Sequence, residues 1–585
     1  MNAIISVSDK SNLDKLCKFL NTKNFNLYCS SGTYKYLEKE NIQNIYKIED
    51  LVQQKELLNG RVKTLHPHIH AGILCDRENE EHMKDIEENN IKLIDLIVVN
   101  LYPFKKIVDE KGSEDDLIEN IDIGGHTLIR AGCKNHKYVS VLTNPLDYEK
   151  FIENYDNLNK KELATKGFDF ISNYDIDISN KYSYDNYYKI YKRELKLRYG
   201  CNPYQDMAYC CSINDKFPIQ ILNGKPGYIN LLDAFNSWQL VKEISELTNK
   251  ITSTSFKHTA PAGIGLSNQL DTILRYTYNN HNELSDTAIS YLRARNSDPL
   301  SSFGDFIAIS HKVDIDTAKL IKREISDGII APDYDEDALK ILKLKKKGNY
   351  LIIQVDKNYE LDEYIEVREL FGVGLIQNKN NYMIDKNTIL NNIVTNNKKL
   401  DNNIIDDCIL AYQSLKYIPS NSVVFVYDGQ VVSVGCGQQN RVDCVKLAGK
   451  KARKWLLRQH PKVLDLNNYF KSDVSRQDKI NCIMNFIEND FTKKSYLDWE
   501  KNFIEGFKFN PLTIYEIKEF TKLFNNFILA SDGFFPFRDN IDECYKYGVK
   551  YIIQPGGSIQ DINIIDTCNK YDMVMINTNN RMFYH

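Results

Sequence analysis

A chain of 585 residues is too long for one compact core, so about two to four domains are expected. Hydrophobic residues at 42% and charged residues at 26% are ordinary for a globular protein, and a net charge of -4 argues against a nucleic-acid or membrane-surface binder. Thirteen cysteines, an odd number with no C-x-x-C, predict reduced thiols, a cytosolic location and no cysteine zinc site.

The opening MNAIISVSDKSNL has no charged leader before an apolar stretch, so no secretory signal is expected. AIISV reads as a strand, and SDK opens a helix whose Leu13, Leu16, Cys17 and Leu20 share one face. FNLYCS is a second strand, stopped by SSGT, with another helix beyond. LIDLIVVNLYPF is a third; it contains Asp95, is too short to span a bilayer, and suits a strand buried on both faces. IDIGGHTLIRAG reads as a strand-to-helix turn. Strands alternating with helices imply a parallel sheet flanked by helices. From about 150 to 195 the composition turns to Asp, Asn, Tyr and Lys, which predicts a polar helical connector. The predicted layout is a first domain over 1–150, the connector over 151–195 and a second region over 196–585. Roughly from 335 to 410 the chain is lysine- and asparagine-rich, and its KLKKK run reads as a solvated face. No fixed-period repeat is present. SSFGDFIAIS and SDGFFPFRDN look faintly alike, as a duplicated subdomain would.

Three turns, Ser8-Asp9-Lys10, Ser30-Ser31-Gly32-Thr33 and Gly124-Gly125, each read as following a strand and preceding a helix. Backbone N–H groups and the positive helix end at such a turn favour an anion, though the same residues serve as plain caps. In GRVKTLHPHIHAGIL, Arg61 and Lys63 suit a phosphate or carboxylate, and His66, His68 and His70 alternate as ligands on a strand would. Pro67 and the lack of a nearby carboxylate favour structural histidines over a metal. Lys134 is readable as a helix-terminal charge or as an acid–base group. SFKHTAPAG sets Lys257 beside His258 ahead of a turn made of Pro261 and Gly263, and suggests a catalytic pair. VVSVGCGQQNRVDCVKLAG reads as strand, glycine turn and helix, with Arg441 near the helix start. ASDGFFPFRDNID puts three phenylalanines beside Arg538 and Asp539, readable as walls for a flat ring or as core. The zinc deaminase pattern, H-x-E with P-C-x-x-C, is absent.

These segments fall in a familiar order. SVSDK, SSGT, LNGRVKTLHPHIHAGIL, NLYPF, IDIGG and CKNH resemble the inosine monophosphate (IMP) cyclohydrolase domain. LRYGCNPYQ, LNGKPGYINLLDAFNSWQLVKE, SFKHTAPAG, SSFGDF, SDGIIAP, GQQNR, FFPFRDN and RMFYH resemble a transformylase domain. Nearly the whole chain is similar to the bifunctional purine-biosynthesis family that joins aminoimidazole carboxamide ribonucleotide (AICAR) formyltransferase to IMP cyclohydrolase. RARNSDPLSSFGDF is similar to its eukaryotic members.

The resemblance implies an α/β chain with an N-terminal methylglyoxal synthase-like parallel-sheet domain. A transformylase region of two cytidine deaminase-like subdomains without the zinc would follow. It implies formyl transfer from 10-formyltetrahydrofolate to AICAR, giving the formamide FAICAR, which then closes its ring with loss of water to IMP. It also implies a cytosolic homodimer with transformylase sites at the interface, and no catalytic metal. By resemblance His258 is the base and Lys257 stabilises the oxyanion, roles an imidazole and an ammonium suit. Arg198, Tyr199, Asn236, Gly304, Asp327, Asn421, Arg441 and Arg581 match the AICAR-site motifs. Val442, Phe534, Asp539, Gly556 and Gly557 match positions lining the folate site. In the first domain Lys134 matches the proton-transfer lysine, and Lys63, Tyr102 and Asp122 match residues around the reacting groups. Ser8, Asp9, Lys10, Ser30, Ser31, Gly32, Thr33, Arg61, Thr64, Asn100 and Ile123 match the nucleotide segments.

Two departures stand out. Tyr204 occupies a position where many relatives carry histidine, and a phenol is a poor base at neutral pH. KYIPSN, before Ser422, differs from common versions near a proposed monovalent-cation site, so no ion is assigned. Two rival readings are a nucleotide-responsive regulatory module and a deaminase-type hydrolase. The intact Lys134 and Lys257–His258 set weighs against the first, and the missing zinc ligands against the second.

Overall fold

Side chains alternating between two cores along β1 (Asn2–Val7) show how the first sheet is made: Ala3, Ile5 and Val7 face one core and Ile4 the other. The computed structural model describes residues 1–213, 216–360 and 365–585, and β1 belongs to the first of two units, Met1–Tyr191 and Lys192–His585. Behind β1, α1 (Leu13–Thr22) buries Leu13, Leu16, Cys17 and Leu20, the predicted stripe at i, i+3, i+4 and i+7. Then come β2 (Asn26–Cys29), α2 (Ser31–Lys39), β3 (Ile45–Lys47), β4 (Leu96–Asn100), α3 (Gly124–Lys134), β5 (Ser140–Leu142) and α4 (Lys160–Tyr182). The strands form one parallel sheet in the order β3-β2-β1-β4-β5, with β4 buried throughout, as its apolar run predicts.

Three local expectations are corrected. Gly124-Gly125 follows a helix, Glu114–Glu119, and not a strand. His66, His68 and His70 do not alternate on a strand. Pro67 opens the helix Pro67–Leu74, and His66 caps it by accepting the His68 N–H on Nδ1 at 3.1 Å. β4 stops at Asn100, ahead of the donor-less Pro103. The stretch read as a connector holds α4, whose Ala164, Ile171 and Tyr174 join the core that contains Leu128 and Ile129 of α3.

In the second unit a ribbon of β6 (Lys192–Lys196) and β7 (Tyr209–Ser212) stands apart from an 11-stranded sheet. The sheet begins with β8 (Ile219–Asn223). After it come α5 (Tyr228–Thr248), the hairpin β9 (Thr252–Lys257) and β10 (Ala260–Leu266), and α6 (Asp286–Ser297). Next are β11 (Asp305–Ile309), β12 (Ser326–Ala331) and β13 (Leu351–Val355), then a separate hairpin of β14 (Ile365–Leu370) and β15 (Val373–Asn378). The pattern recurs in α7 (Asn402–Ser414), the hairpin β16 (Val423–Tyr427) and β17 (Gln430–Gly435), and α8 (Arg441–Leu457). It ends with β18 (Phe527–Ser531), β19 (Val549–Gln554) and β20 (Val574–Asn577).

The order β20-β19-β18-β16-β17-β10-β9-β11-β12-β13-β8 is a palindrome about the β17–β10 pair, apart from the extra β8. Each half is a helix, a hairpin, a second helix and three mutually parallel strands. The unit is therefore duplicated. The faint match that suggested this is not its trace: SSFGDFIAIS runs into β11, whereas SDGFFPFRDN leaves the end of β18, the opposite end of the equivalent strand. Nor is KLKKK purely a solvated face. Lys345 turns inward, donating to Ser326 Oγ at 3.1 Å over the Tyr350 ring, and burial lowers its ammonium to about 8. Of that lysine-rich stretch, 361–364 lie outside the described residues.

In each half the hairpin turn is held from below by a carboxylate of the helix that precedes it. In the second half, Asp407 of α7 accepts the Gly429 N–H at 2.8 Å. Burial pushes its carboxyl up to about 7; Asp428 adds to the rise, and Lys250 and Arg293 oppose it. A carboxyl raised above its unfolded value near 4 makes the folded state bind the extra proton, so stability falls as pH rises from about 4 to about 7. Asp407→Asn is expected to raise the melting temperature above that window and to flatten the pH dependence within it. An unchanged melting-temperature profile would exclude Asp407 as a source of that dependence.

Candidate functional site

In the first unit the carboxyl ends of the parallel strands gather the predicted turns, where open α/β sheets take ligands. Asn100, the last residue of β4, accepts the N–H groups of Ser8 (2.6 Å) and Asp9 (2.9 Å) on Oδ1 and donates Nδ2 to the Asp9 carbonyl (2.9 Å). Thr33 accepts the Val7 N–H at 3.2 Å, and Ser30 Oγ donates to Thr33 Oγ1 at 3.2 Å. Asn100 and Thr33 thus shape the cradle from below, while Ser8, Asp9 and Gly32 are exposed on it. Ser31 Oγ lies 3.4 Å from both Glu49 and Glu56, and Lys63 is 3.7 Å from Glu56. Arg61, also exposed, pairs with Glu119.

Asp122 sits at the start of α3. Its Oδ1 accepts the Gly125 N–H at 2.7 Å, and the backbone N–H groups of Tyr102 and His126 also reach the carboxylate. Burial nevertheless pushes the carboxyl up. Buried Thr64 packs against the same turn, 2.6 Å from where a Cβ on Gly124 would stand. Tyr174 of α4 accepts the Asp122 N–H at 2.8 Å and donates to the Asn120 carbonyl at 2.6 Å. Sequence reading missed this tyrosine, whose only signal is its place in the buried stripe of α4. Lys134 does not join the group. It is the exposed last residue of α3, about 15 Å along the axis from Gly124 at 1.5 Å per residue.

In the second unit Lys257 ends β9 and His258 follows it, but the turn is not at the expected Pro261–Gly263. Lys257 pairs with Ala260, which makes His258-Thr259 a two-residue hairpin turn with φ of 55° and 60°. Pro261 and Gly263 lie inside β10 at a register shift, where proline is tolerated. Gly263 lets α6 lie on the strand, since a Cβ there would stand 2.3 Å from Ser297 Cβ. A turn with two positive φ values prefers Asn-Gly or Asp-Gly. The equivalent turn of the second half, Asp428-Gly429 with φ of 46° and 72°, obeys that rule. His and β-branched Thr do not, at a cost of order 1–3 kcal/mol for each strained residue. Buried Asp233 of α5 holds the strained turn, accepting the Thr259 N–H at 2.7 Å, with the His258 N–H also reaching it.

Lys257 Nζ donates to the Phe303 carbonyl and lies beside Gly304, which has φ of 75°. Asp327 of β12 is near enough to Asp233 to raise its carboxyl, and Lys346, from the KLKKK run read as a solvated face, pairs with Asp327 at 2.7 Å. One turn beyond Asp233, Asn236 bonds the Tyr584 hydroxyl of the C-terminal tail, and the Tyr584 N–H donates to Ser420 Oγ at 3.1 Å. Beside it Arg441 is buried. It donates to Asn421 Oδ1 (2.6 Å), Ser531 Oγ (2.8 Å) and Asp532, a fully buried carboxylate that also accepts Ser420 Oγ at 2.6 Å. Arg441 therefore serves to fix Asn421, and Asp532, like Tyr174 and Asp233, is a residue the sequence did not single out. Arg581 stacks over Phe583 at 4.4 Å, and Arg198, on the loop after β6, over Tyr199 at 5.3 Å. Tyr204 is 82% exposed on the same loop.

Of the positions expected to line a folate site, Phe534, Asp539, Gly556 and Gly557 follow the carboxyl ends of β18 and β19. Phe534 and Phe537 are exposed while Phe535 is core, so the phenylalanine cluster divides between the two readings. Asp539 opens the helix Asp539–Lys546, and Val442 follows Arg441 in α8. Gly556 and Gly557, with φ of 74° and 93°, form an open turn whose Gly557 N–H meets Asp561 at 2.7 Å.

A family model described as "AICARFT/IMPCHase bienzyme" matches residues 132–451, and one described as "MGS-like domain" matches residues 12–127. Three curated relatives from Clostridium botulinum are each named "Bifunctional purine biosynthesis protein PurH". Those of strain 657 / Type Ba4 and strain Loch Maree / Type A3 are 34% identical to this chain, and that of strain Kyoto / Type A2 is 35% identical. Each alignment covers 100% of this chain and 99% of the relative. The chain belongs to the AICARFT/IMPCHase bienzyme family, with an MGS-like domain at its N-terminus.

Proposed function

We propose that the two units divide the family's two reactions, with ring closure in the cradle beside Asp122 and formyl transfer at Lys257–His258. As a family member the chain is an AICAR formyltransferase and IMP cyclohydrolase of purine biosynthesis, and its formyl donor is a folate. That identity displaces the regulatory and deaminase readings. We take the donor to be 10-formyltetrahydrofolate. The observation that carries the assignment is the strained His258-Thr259 turn, beside an unstrained Asp-Gly turn at the equivalent place in the same unit. Strain kept where a relaxed alternative exists marks a functional position.

The AICAR amine is conjugated with its ring and is a weak nucleophile. It bonds to the formyl carbon as His258 takes its proton, and Lys257 stabilises the oxyanion that forms. The bond from that carbon to the folate nitrogen then breaks, and the nitrogen leaves protonated. In the cyclohydrolase site the carboxamide nitrogen attacks the formyl carbon of the same molecule and water leaves, so positioning supplies much of the acceleration. Lys63, Tyr102 and Asp122 are the candidate proton-handling groups, and the cradle of Ser8, Asp9, Lys10 and Ser30 to Thr33 is the candidate phosphate site; Lys134, at the far end of α3, stands outside this set. The AICAR and folate assignments above stand as part of this proposal. So do the cytosolic location and the deaminase-like halves, the latter supported by their shared topology.

The homodimer is supported by the β14–β15 hairpin. Leu370, Val373, Leu375 and Ile376 are each more than half exposed there, and Phe371 is fully exposed, an apolar edge that a second copy would cover. The assay mixes the purified protein with AICAR and 10-formyltetrahydrofolate and follows tetrahydrofolate and IMP together. No folate turnover sinks the formyl-transfer assignment, and accumulation of FAICAR sinks the cyclisation one. Sedimentation of Phe371→Asp is expected to show monomers; a dimer as tight as wild type removes the hairpin from the interface.

A further inference from the structure

We propose that Asp233 is a positioning residue for formyl transfer, fixing the His258-Thr259 turn and orienting the His258 side chain toward the amine. This rests on the assignment of His258 as the base. Asp233 is buried on α5, accepts the Thr259 N–H at 2.7 Å, has the His258 N–H within reach, and lies close enough for the His258 charge to act on it.

The duplication separates two duties of this carboxylate. Asp407 stands in the equivalent place on α7, under the Asp428-Gly429 turn, with no histidine on that turn. Holding a hairpin turn is thus the shared duty. The first half adds an imidazole to the turn, so there the carboxylate also faces a group that becomes positively charged when it takes a proton. A carboxylate beside an imidazole favours the imidazolium, which is the state the base reaches during transfer. Burial pushes the Asp233 carboxyl up, opposed by the turn N–H and by His258; the other charged group acting on it is Asp327 of β12, itself paired with Lys346.

The test separates kcat from KM in formyl transfer, with the melting temperature of each variant as the fold check. Asp233→Asn keeps an acceptor for the Thr259 N–H and removes the charge. It is expected to lower kcat by about tenfold, while KM for AICAR stays within about twofold of wild type. Asp407→Asn, the matching change under the other turn, should leave kcat at the wild-type level, and Asp233→Glu should recover part of the loss. An unchanged kcat in Asp233→Asn, or a fall no larger than Asp407→Asn causes, would overturn the proposal and leave Asp233 a turn clamp only. Should the Asn variant fail to fold, Asp233→Glu decides: a reduced kcat at an unchanged KM supports the proposal, and a wild-type kcat or a raised KM overturns it. Full formyl transfer in His258→Ala would instead sink the underlying assignment, so the two failures are distinct.

Discussion

His258→Ala is expected to slow formyl transfer by about 10²–10⁴-fold, the usual worth of positioned proton transfer. Ring closure of supplied FAICAR should continue at the wild-type rate. The selectivity follows from the fold, because His258 lies on the turn after β9 in the second unit, while the cradle proposed for cyclisation is built from residues of the first. No buried contact of the imidazole is lost, since His258 is exposed, so the variant should fold. Alanine at a positive φ keeps the strain that histidine carried, and Thr259 still meets Asp233. Assaying both half-reactions on one preparation checks this. Loss of both in a folded variant would contradict separate sites.

Asp122→Asn is the reciprocal experiment. It is expected to slow cyclisation by about 10²-fold while leaving formyl transfer intact, so FAICAR accumulates from AICAR and 10-formyltetrahydrofolate. Asparagine can still accept the Gly125 N–H, which preserves the start of α3, and Tyr174 still anchors the backbone. What disappears is a carboxylate able to take and return a proton. Its pKa is raised by burial, so the folded state disfavours the ionised form, and a neutral amide does not destabilise the unit at neutral pH. The same raised value predicts that wild-type cyclisation falls on acidification as the carboxylate takes a proton, and that this limb is missing in the variant. A variant that cyclises at the wild-type rate with the same acid limb would remove Asp122 from the chemistry.

Several elements were legible because their signals are local. The stripe Leu13, Leu16, Cys17, Leu20 spans two turns of one helix, and the apolar run of β4 can only be buried on both faces. Asn100 and Thr33 were picked out as site residues, yet they build the cradle with their side chains turned into it from below. The histidine triplet shows the limit of a short pattern. Alternation suggested a strand, but Pro67 fits the first turn of a helix and His66 caps it. Lys134 shows another: its neighbours in sequence are those of the site, while the rise of α3 carries it to the far end.

The amino-acid sequence by itself determined the alternation of strands and helices, the family, and the Lys257–His258 pair as the centre of interest. Tertiary structure decided where the hairpin turns, because register is set by the strands that pair with β9 and β10 and by α6 lying on Gly263. It decided that Arg441 meets Asp532, distant in the chain, and that Asp233 lies under Thr259. Periodicity and capping act over a few residues and can be read along the chain. A buried charge must find its partner wherever packing brings one, and that choice belongs to the folded molecule.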